Sequence, residues 1–242
     1  MDFSKIVDDS DKQQVQMFET ELLERIKEFL HKHTMVYRYT SNNEVVINDN
    51  FEICVNGGIA FRNFEESSLP DYINFRTVTG QIEFHNCINL SSLRGLPRWS
   101  GGIVIKDCPK LKSLEYLPIA PSYLIDHTGI CNLVGFPESH RFKIKRRSDS
   151  RTFADLLGFG DLVEYPELTL ILNNNLESLE GLPTNLSNLT ILRCKKIRSI
   201  EGIKSNILTF KSDLYAIRNK DSYIQLKGNI KNFEYTEYYN YK

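Results

Sequence analysis

The sequence predicts an α/β solenoid, a chain coiled from short stacked repeats around a parallel sheet. Two observations predict it. The stretch Cys87 to Pro97, CINLSSLRGLP, returns twenty-one residues later as CPKLKSLEYLP, Cys108 to Pro118. Its core comes back as NLESLEGLP (Asn175 to Pro183) and KIRSIEGI (Lys196 to Ile203). Ahead of these stretches stand apolar residues two apart, the spacing of one face of a β-strand. A fixed period of about 20–29 residues marks units that bury their apolar side only against their neighbours.

Composition bounds the rest. The chain has 242 residues, 41% apolar and 25% charged. Those are the proportions of an ordinary folded chain, enough for one domain or one solenoid with covered ends. The formal net charge is −1, so no overall basic field draws in nucleic acid or an anionic membrane. No apolar run approaches the ~18 residues of a membrane span. The opening MDFSKIVDDSDKQQ lacks the basic and apolar regions of a secretory signal. The expected location is the cytoplasm, and a host cell's cytoplasm if the gene is phage-borne. Abundant Asn, Ile, Lys and Tyr fit an AT-rich phage or mobile-element genome. The five cysteines form no CxxC pair, and Cys87, Cys108 and Cys194 share one repeat position. They read as reduced, buried thiols rather than a disulfide framework.

Taken in order, residues 1–34 hold an amphipathic helix. Val15, Phe18, Leu22, Ile26, Phe29 and Leu30 recur at three- and four-residue spacings. Ser10 and Gln13 resemble a capping box for a helix over 11–33. The stripe is expected to cover the open first turn of the solenoid, as terminal repeats require; a partner-binding or dimerising helix is the alternative. Residues 35–80 are β-rich and irregular, with MVYRYT, EVVI, FEICV, GIAF and YINFR as short strands and turns at Asp49-Asn50, Asn56-Gly57-Gly58 and Leu69-Pro70-Asp71. One or two degenerate repeats are expected there, because GIAF sits about one period before QIEF.

The repeats proper fill 81–210. Ile82, Phe84 and Cys87 stand at positions zero, two and five. Ile103, Ile105 and Cys108 repeat that spacing, as do Leu189, Ile191 and Cys194, and Leu168, Leu170 and Asn173 with Asn in the cysteine place. Positions zero and two point inward. Position five is a small buried residue that bonds exposed backbone groups where the chain leaves the sheet. In the third unit the tail ICNLVGFP counts back to His127 at position five, read as an imidazole in the same bonding role or as a site histidine. Phe84, Ile105, Leu124, Leu170 and Ile191 are then expected to form one column. Pro137 and Pro183 are two periods apart, which implies a degenerate unit with an insertion near 138–165. That insertion holds Arg141, Lys143, Lys145, Arg146, Arg147 and Arg151, and a short helix over Thr152–Leu157. Strands at Ile207–Phe210, Tyr223–Leu226 and Asn232–Tyr235 lead into an irregular β cap over 211–242, whose tyrosines read as half-buried edge residues or a stacking surface.

This pattern resembles the leucine-rich-repeat family, whose unit is written LxxLxLxxN/C. It is closest to the cysteine-type variant, because the next apolar residue (Leu90, Leu111, Ile197) follows three positions on. The xSLxGLP tails are similar to those of bacterial and viral members. The match covers about 82–137 and 165–205. The resemblance implies a leucine-rich-repeat-like solenoid with an N-terminal helical cap, and speaks to fold far more than to function.

Chemistry is sparse. No phosphate-loop, dinucleotide or metalloprotease motif is present, and no nucleophile elbow. The histidines share no ligand spacing with the cysteines. No metal, cofactor or catalytic residue is expected. The expected function is binding of another protein by the concave sheet, through Glu83, His85, Lys106, Asp107, Tyr123, Ile125, Asp126, Ile171, Leu192 and Arg193, such as a phage inhibitor blocking a host protein. The first alternative is a nucleic-acid or polyanion binder using the basic cluster from Arg141 to Arg151. The second is a small enzyme pairing His85, His127 or His140 with Asp126 or Asp161.

Overall fold

Apolar residues two apart, recurring about every twenty-one, build a parallel-strand β-solenoid with one N-terminal helix. The computed structural model describes residues 9–37, 44–138, 142–144, 162–164, 166–197, 206–212 and 230–235. Helix α1 (Asp9–His33) runs straight into β1 (Thr34–Tyr37). Then come β2 (Glu44–Ile47), β3 (Ile53–Asn56), β4 (Gly58–Arg62), β5 (Phe75–His85), β6 (Ser100–Cys108) and β7 (Ser122–Thr128). A separate antiparallel pair, β8 (Phe142–Ile144) and β9 (Leu162–Glu164), precedes β10 (Glu167–Ile171), β11 (Asn185–Leu192), β12 (Asn206–Ser212) and β13 (Ile230–Tyr235).

From β4 to β13 the main sheet is parallel throughout. Its first edge is not. β1 and β2 run antiparallel to β4 and β3, and β3 and β4 both lie against the long β5. GIAF is therefore a true rung, with Ile59 opposite Ile82 and Phe61 opposite Phe84. The two inward columns are Ile59, Ile82, Ile103, Tyr123, Leu168, Leu189 and Phe61, Phe84, Ile105, Ile125, Leu170, Ile191. All twelve are buried. Phe61 and Phe84 stack face to face at 4.7 Å.

The third rung corrects the sequence-based frame. Ile105 faces Ile125 and Ile103 faces Tyr123, so Leu124 is not in the column. Tyr123 and Ile125, expected on the binding face, are core residues at 3% and 0% exposure. The Tyr123 hydroxyl donates to Pro118 O at 3.1 Å and accepts from Ala120 N at 2.7 Å. Position five is Thr128, and His127 moves to the exposed corner before it. The turn is one residue shorter than its neighbours. The shortening falls at Gly129, where a Cβ would stand 2.2 Å from Pro109 O, and only glycine permits that approach.

The expected degenerate rung before β10 is absent. β7 pairs directly with β10, Tyr123 beside Leu168, and the described strands between them, β8 and β9, form a sheet of their own. The turns stack across the gap: Leu133 N donates to Glu180 O and Glu177 N to Cys131 O. The Thr152–Leu157 helix, the Tyr223–Leu226 strand and most of the aromatic tail lie outside the described residues.

Position five behaves as its chemistry requires. Cys87 Sγ donates to Phe61 O and His85 O, Cys108 Sγ to Lys106 O, and Cys194 Sγ to Leu192 O. The hydrogen-bonding Cys87 thiol and, after it, burial push the Cys108 thiol far above its ordinary range. Asn173, fully buried, donates to Ile125 O at 2.8 Å and accepts from Thr128 N at 3.0 Å and Thr128 Oγ1 at 2.7 Å.

The helix stripe is buried only in its second half. Ile26 and Phe29 are buried, and Phe29 packs edge-on against Phe64 and Tyr72. Arg25 lies over the Tyr72 ring at 4.4 Å. Val15, Met17 and Phe18 stand exposed, and Ser10, expected to cap, falls inside the helix.

Three stability predictions follow the repeat geometry. Gly95, Gly135 and Gly181 hold the same left-handed turn position, where Tyr116 stands instead at φ 65°. Gly181→Ala brings a Cβ to 2.3 Å from Leu133 O and should cost more than about 1 kcal/mol. Tyr116→Gly should be neutral or stabilising by up to about 1 kcal/mol, as relief of left-handed strain offsets the added unfolded-state freedom. Urea unfolding of both variants reads the opposite signs. In the same assay Asn173→Ala, which strands three buried partners, should cost about 2–3 kcal/mol or more.

Candidate functional site

Strand alternation decides which side chains line the outward face of the sheet. Positions zero and two are inside, so one and three are outside. Position one supplies Glu83, Val104, Leu124, Thr169 and Thr190, and position three supplies His85, Lys106, Asp126, Ile171 and Leu192. All ten are half-buried. Of the expected binding residues, Glu83, His85, Lys106, Asp126, Ile171 and Leu192 share this face. Tyr123 and Ile125 do not, and Leu124 stands where they were expected.

Asp107 and Arg193 belong to a third row, at the corner where each strand ends. Asn63, Asn86, Asp107, His127, Leu172 and Arg193 occupy successive corners, each with φ between 52° and 58°. At three of these corners the turn aims the amide at the next rung: Asn63 N donates to His85 O, Asn86 N to Lys106 O, Leu172 N to Leu192 O. Side chains continue the ladder. Asn86 Nδ2 donates to Asn63 Oδ1 at 2.6 Å, and His127 Nδ1 lies 2.8 Å from Asp107 Oδ1.

The face divides into two halves. Toward the N-terminus it is polar, with His85 Nε2 2.8 Å from Glu83 Oε2, Lys106 beside Asp126 across the rung, and the His127–Asp107 pair at the corner. Toward the C-terminus the position-three row is apolar, with Ile171 beside Leu192 across the rung and Leu172 at the corner, while position one carries Thr169 and Thr190. Asp126 stands at the border, opposite Lys106 on one side and Ile171 on the other. Burial raises its carboxyl above the usual carboxylate range and Asp107 adds to this, while Lys106 and His127 oppose.

Of the histidines offered for catalysis, the two among the described residues bond groups other than Asp126. His85 bonds Glu83 and His127 bonds Asp107, both on the open sheet, while His140 and Asp161 lie outside the described residues. Among the described residues no three His, Cys, Asp or Glu converge as a metal set, and no helix is long and apolar enough to cross a membrane. Arg141, Lys145, Arg146, Arg147 and Arg151 lie outside the described residues, and Lys143 falls in β8, whose side chains are not described. A hollow of about 570 Å³ lies elsewhere, between α1 (Leu23, Lys27, Leu30, His31) and the first strands (Thr34, Val36, Val45, Ile47). Sequence reasoning did not find it, because its two walls come from separate irregular segments. Among known proteins, no family model, curated protein or solved structure matches the chain.

Asp126 yields a pH prediction. A carboxyl whose pKa is raised on folding is worse off ionised in the folded chain. The penalty is absent well below the unfolded value, sets in as pH rises through about 3.9, and is complete above the folded value. Asp126→Asn should therefore raise Tm at pH 7, with the gain shrinking as pH falls toward 3. Thermal melts across that range check the trend.

Proposed function

We propose that the chain is a non-catalytic, leucine-rich-repeat-like binding module that engages another protein through its concave sheet. On this reading the second half of α1 caps the first turn, and β12 and β13 lead into a C-terminal β cap. The observation that carries the reading is the apolar half of the sheet face. Ile171 and Leu192 adjoin across the rung with Leu172 at the corner, and Leu124, opposite Thr169, stands diagonally from Ile171 on the preceding rung; all four are half-exposed. A contiguous apolar patch rimmed by polar groups is characteristic of interaction sites. Lys106, Asp107 and Arg193 on its rim supply charge that steers and orients a partner. If the composition reflects a phage genome, the natural partner is a host protein that the chain blocks.

The alternative reading, a polyanion binder, rests on the segment between β7 and β10. It leaves the solenoid and holds the antiparallel β8–β9 pair beside a run of arginines and lysines. Steep loss of binding with salt is the mark of that mode.

The test is affinity capture from the native host, with the wild-type chain and an Ile171→Glu/Leu192→Glu double variant as parallel baits. A protein retained by wild type should be lost from the variant, and charge reversal at Lys106 and Arg193 should weaken capture without lowering Tm. A partner held equally by all baits, or released only by salt, would overturn the concave-face reading.

A further inference from the structure

One atom on the concave face lacks a partner. Asp126 Oδ1 is shielded from solvent and, among the described residues, is the only buried side-chain nitrogen or oxygen without a hydrogen bond. Groups that might serve it are engaged or aliphatic. His127 is bonded to Asp107, and Ile171 and Leu172 on the next rung offer no donor. Lys106 lies across the rung at position three without reaching ion-pair distance of the carboxyl.

The carboxyl group keeps only part of its water. A partner seated on Leu124, Ile171 and Leu192 would remove the rest, because Asp126 adjoins Ile171 in the sheet. A carboxylate stripped of water is strongly disfavoured unless a donor replaces the solvent. Charged donors replace it best, being about twice as strong as neutral ones. Resting on the concave-face reading, we infer that the partner presents an arginine or lysine side chain to Asp126, next to an apolar side chain seated on Leu124, Ile171 and Leu192. Specificity would come from that pairing: an acidic or uncharged group at the same place leaves Asp126 unpaired and is rejected.

The experiment is selection of a random-peptide display library on the full chain, followed by affinity measurements on the enriched peptides. The expected peptides carry Arg or Lys close to a large apolar residue. Their affinity should fall at least ~10-fold with Asp126→Asn and comparably with Leu192→Glu. It should rise as pH increases through the Asp126 titration. Asp107, Lys106 and His127 are the other charged or titrating groups at this corner, so the pH series is repeated in His127→Asn, where the rise should persist. Peptides that depend on Leu192 yet ignore Asp126→Asn, or that carry no cation, overturn the inference and leave the concave-face reading standing. Peptides indifferent to both substitutions, or no enrichment at all, overturn both. Thermal melts of each variant confirm that it is folded.

Discussion

The structure depends on how the backbone is satisfied where each strand ends. At that corner the chain turns away from a ladder of hydrogen bonds while still inside the protein. Unpaired amides and carbonyls there would cost about as much as lost hydrogen bonds. Two adjacent residues solve this on the rungs from β5 to β11; on the β4 rung the buried Phe64 stands in the second place. The first takes a left-handed turn and, at Asn86 and Leu172, directs its amide to the neighbouring strand. The second is small, buried and able to bond: Cys87, Cys108, Thr128, Asn173 or Cys194. Asn63, Asn86 and Asp107 tolerate the left-handed turn well. His127 is also a tolerant type, whereas Leu172 and Arg193 tolerate it less well, at about 1–2 kcal/mol each. Their persistence shows how firmly the ladder holds the corner.

Where both marks of a unit agree, the sequence discloses the rung. Ile82, Phe84 and Cys87 keep step with the tail at Leu90, Leu93 and Pro97, and so does the unit from Leu168 to Pro183. In the third unit the marks disagree by one residue. Counting back from Leu133 and Pro137 lands on His127, whereas the strand itself ends its count on Thr128. Residue counting does not show that Gly129 lies against Pro109 O. The available clue was a small hydroxyl residue followed by glycine. Tyr123 was misplaced because a phenol reads equally well as surface anchor or core, and its hydroxyl is satisfied by backbone only five residues behind it. Glu83, His85, Lys106 and Asp126 were legible from strand alternation alone, whereas Asp107 and Arg193 reach the surface through the left-handed corner. The pairings were not legible, since Asp107 and His127 lie on different rungs.

The long excursion between β7 and β10 shows what a stacked architecture demands. Each rung contacts only its neighbours, so Tyr123 and Leu168 pair as though nothing separated them. Closing a longer loop adds little entropy, since each doubling of length costs about 0.6 kcal/mol. The chain therefore sets aside roughly a period of sequence without interrupting either inward column. A missing rung and an expelled rung look alike in spacing, and only the pairing of Leu170 with Ile125 tells them apart.

The reversed direction of β1 and β2 has a consequence for the molecule in company. A coil of parallel rungs is in principle endless: its last strand is a template for the first strand of another copy, and copies added head to tail would grow into a fibre. Here the first edge runs the opposite way. An incoming parallel rung that met Thr34–Tyr37 or Glu44–Ile47 could not carry the coil onward in phase. Reversing the polarity of the edge strands sets a terminus to growth at that end.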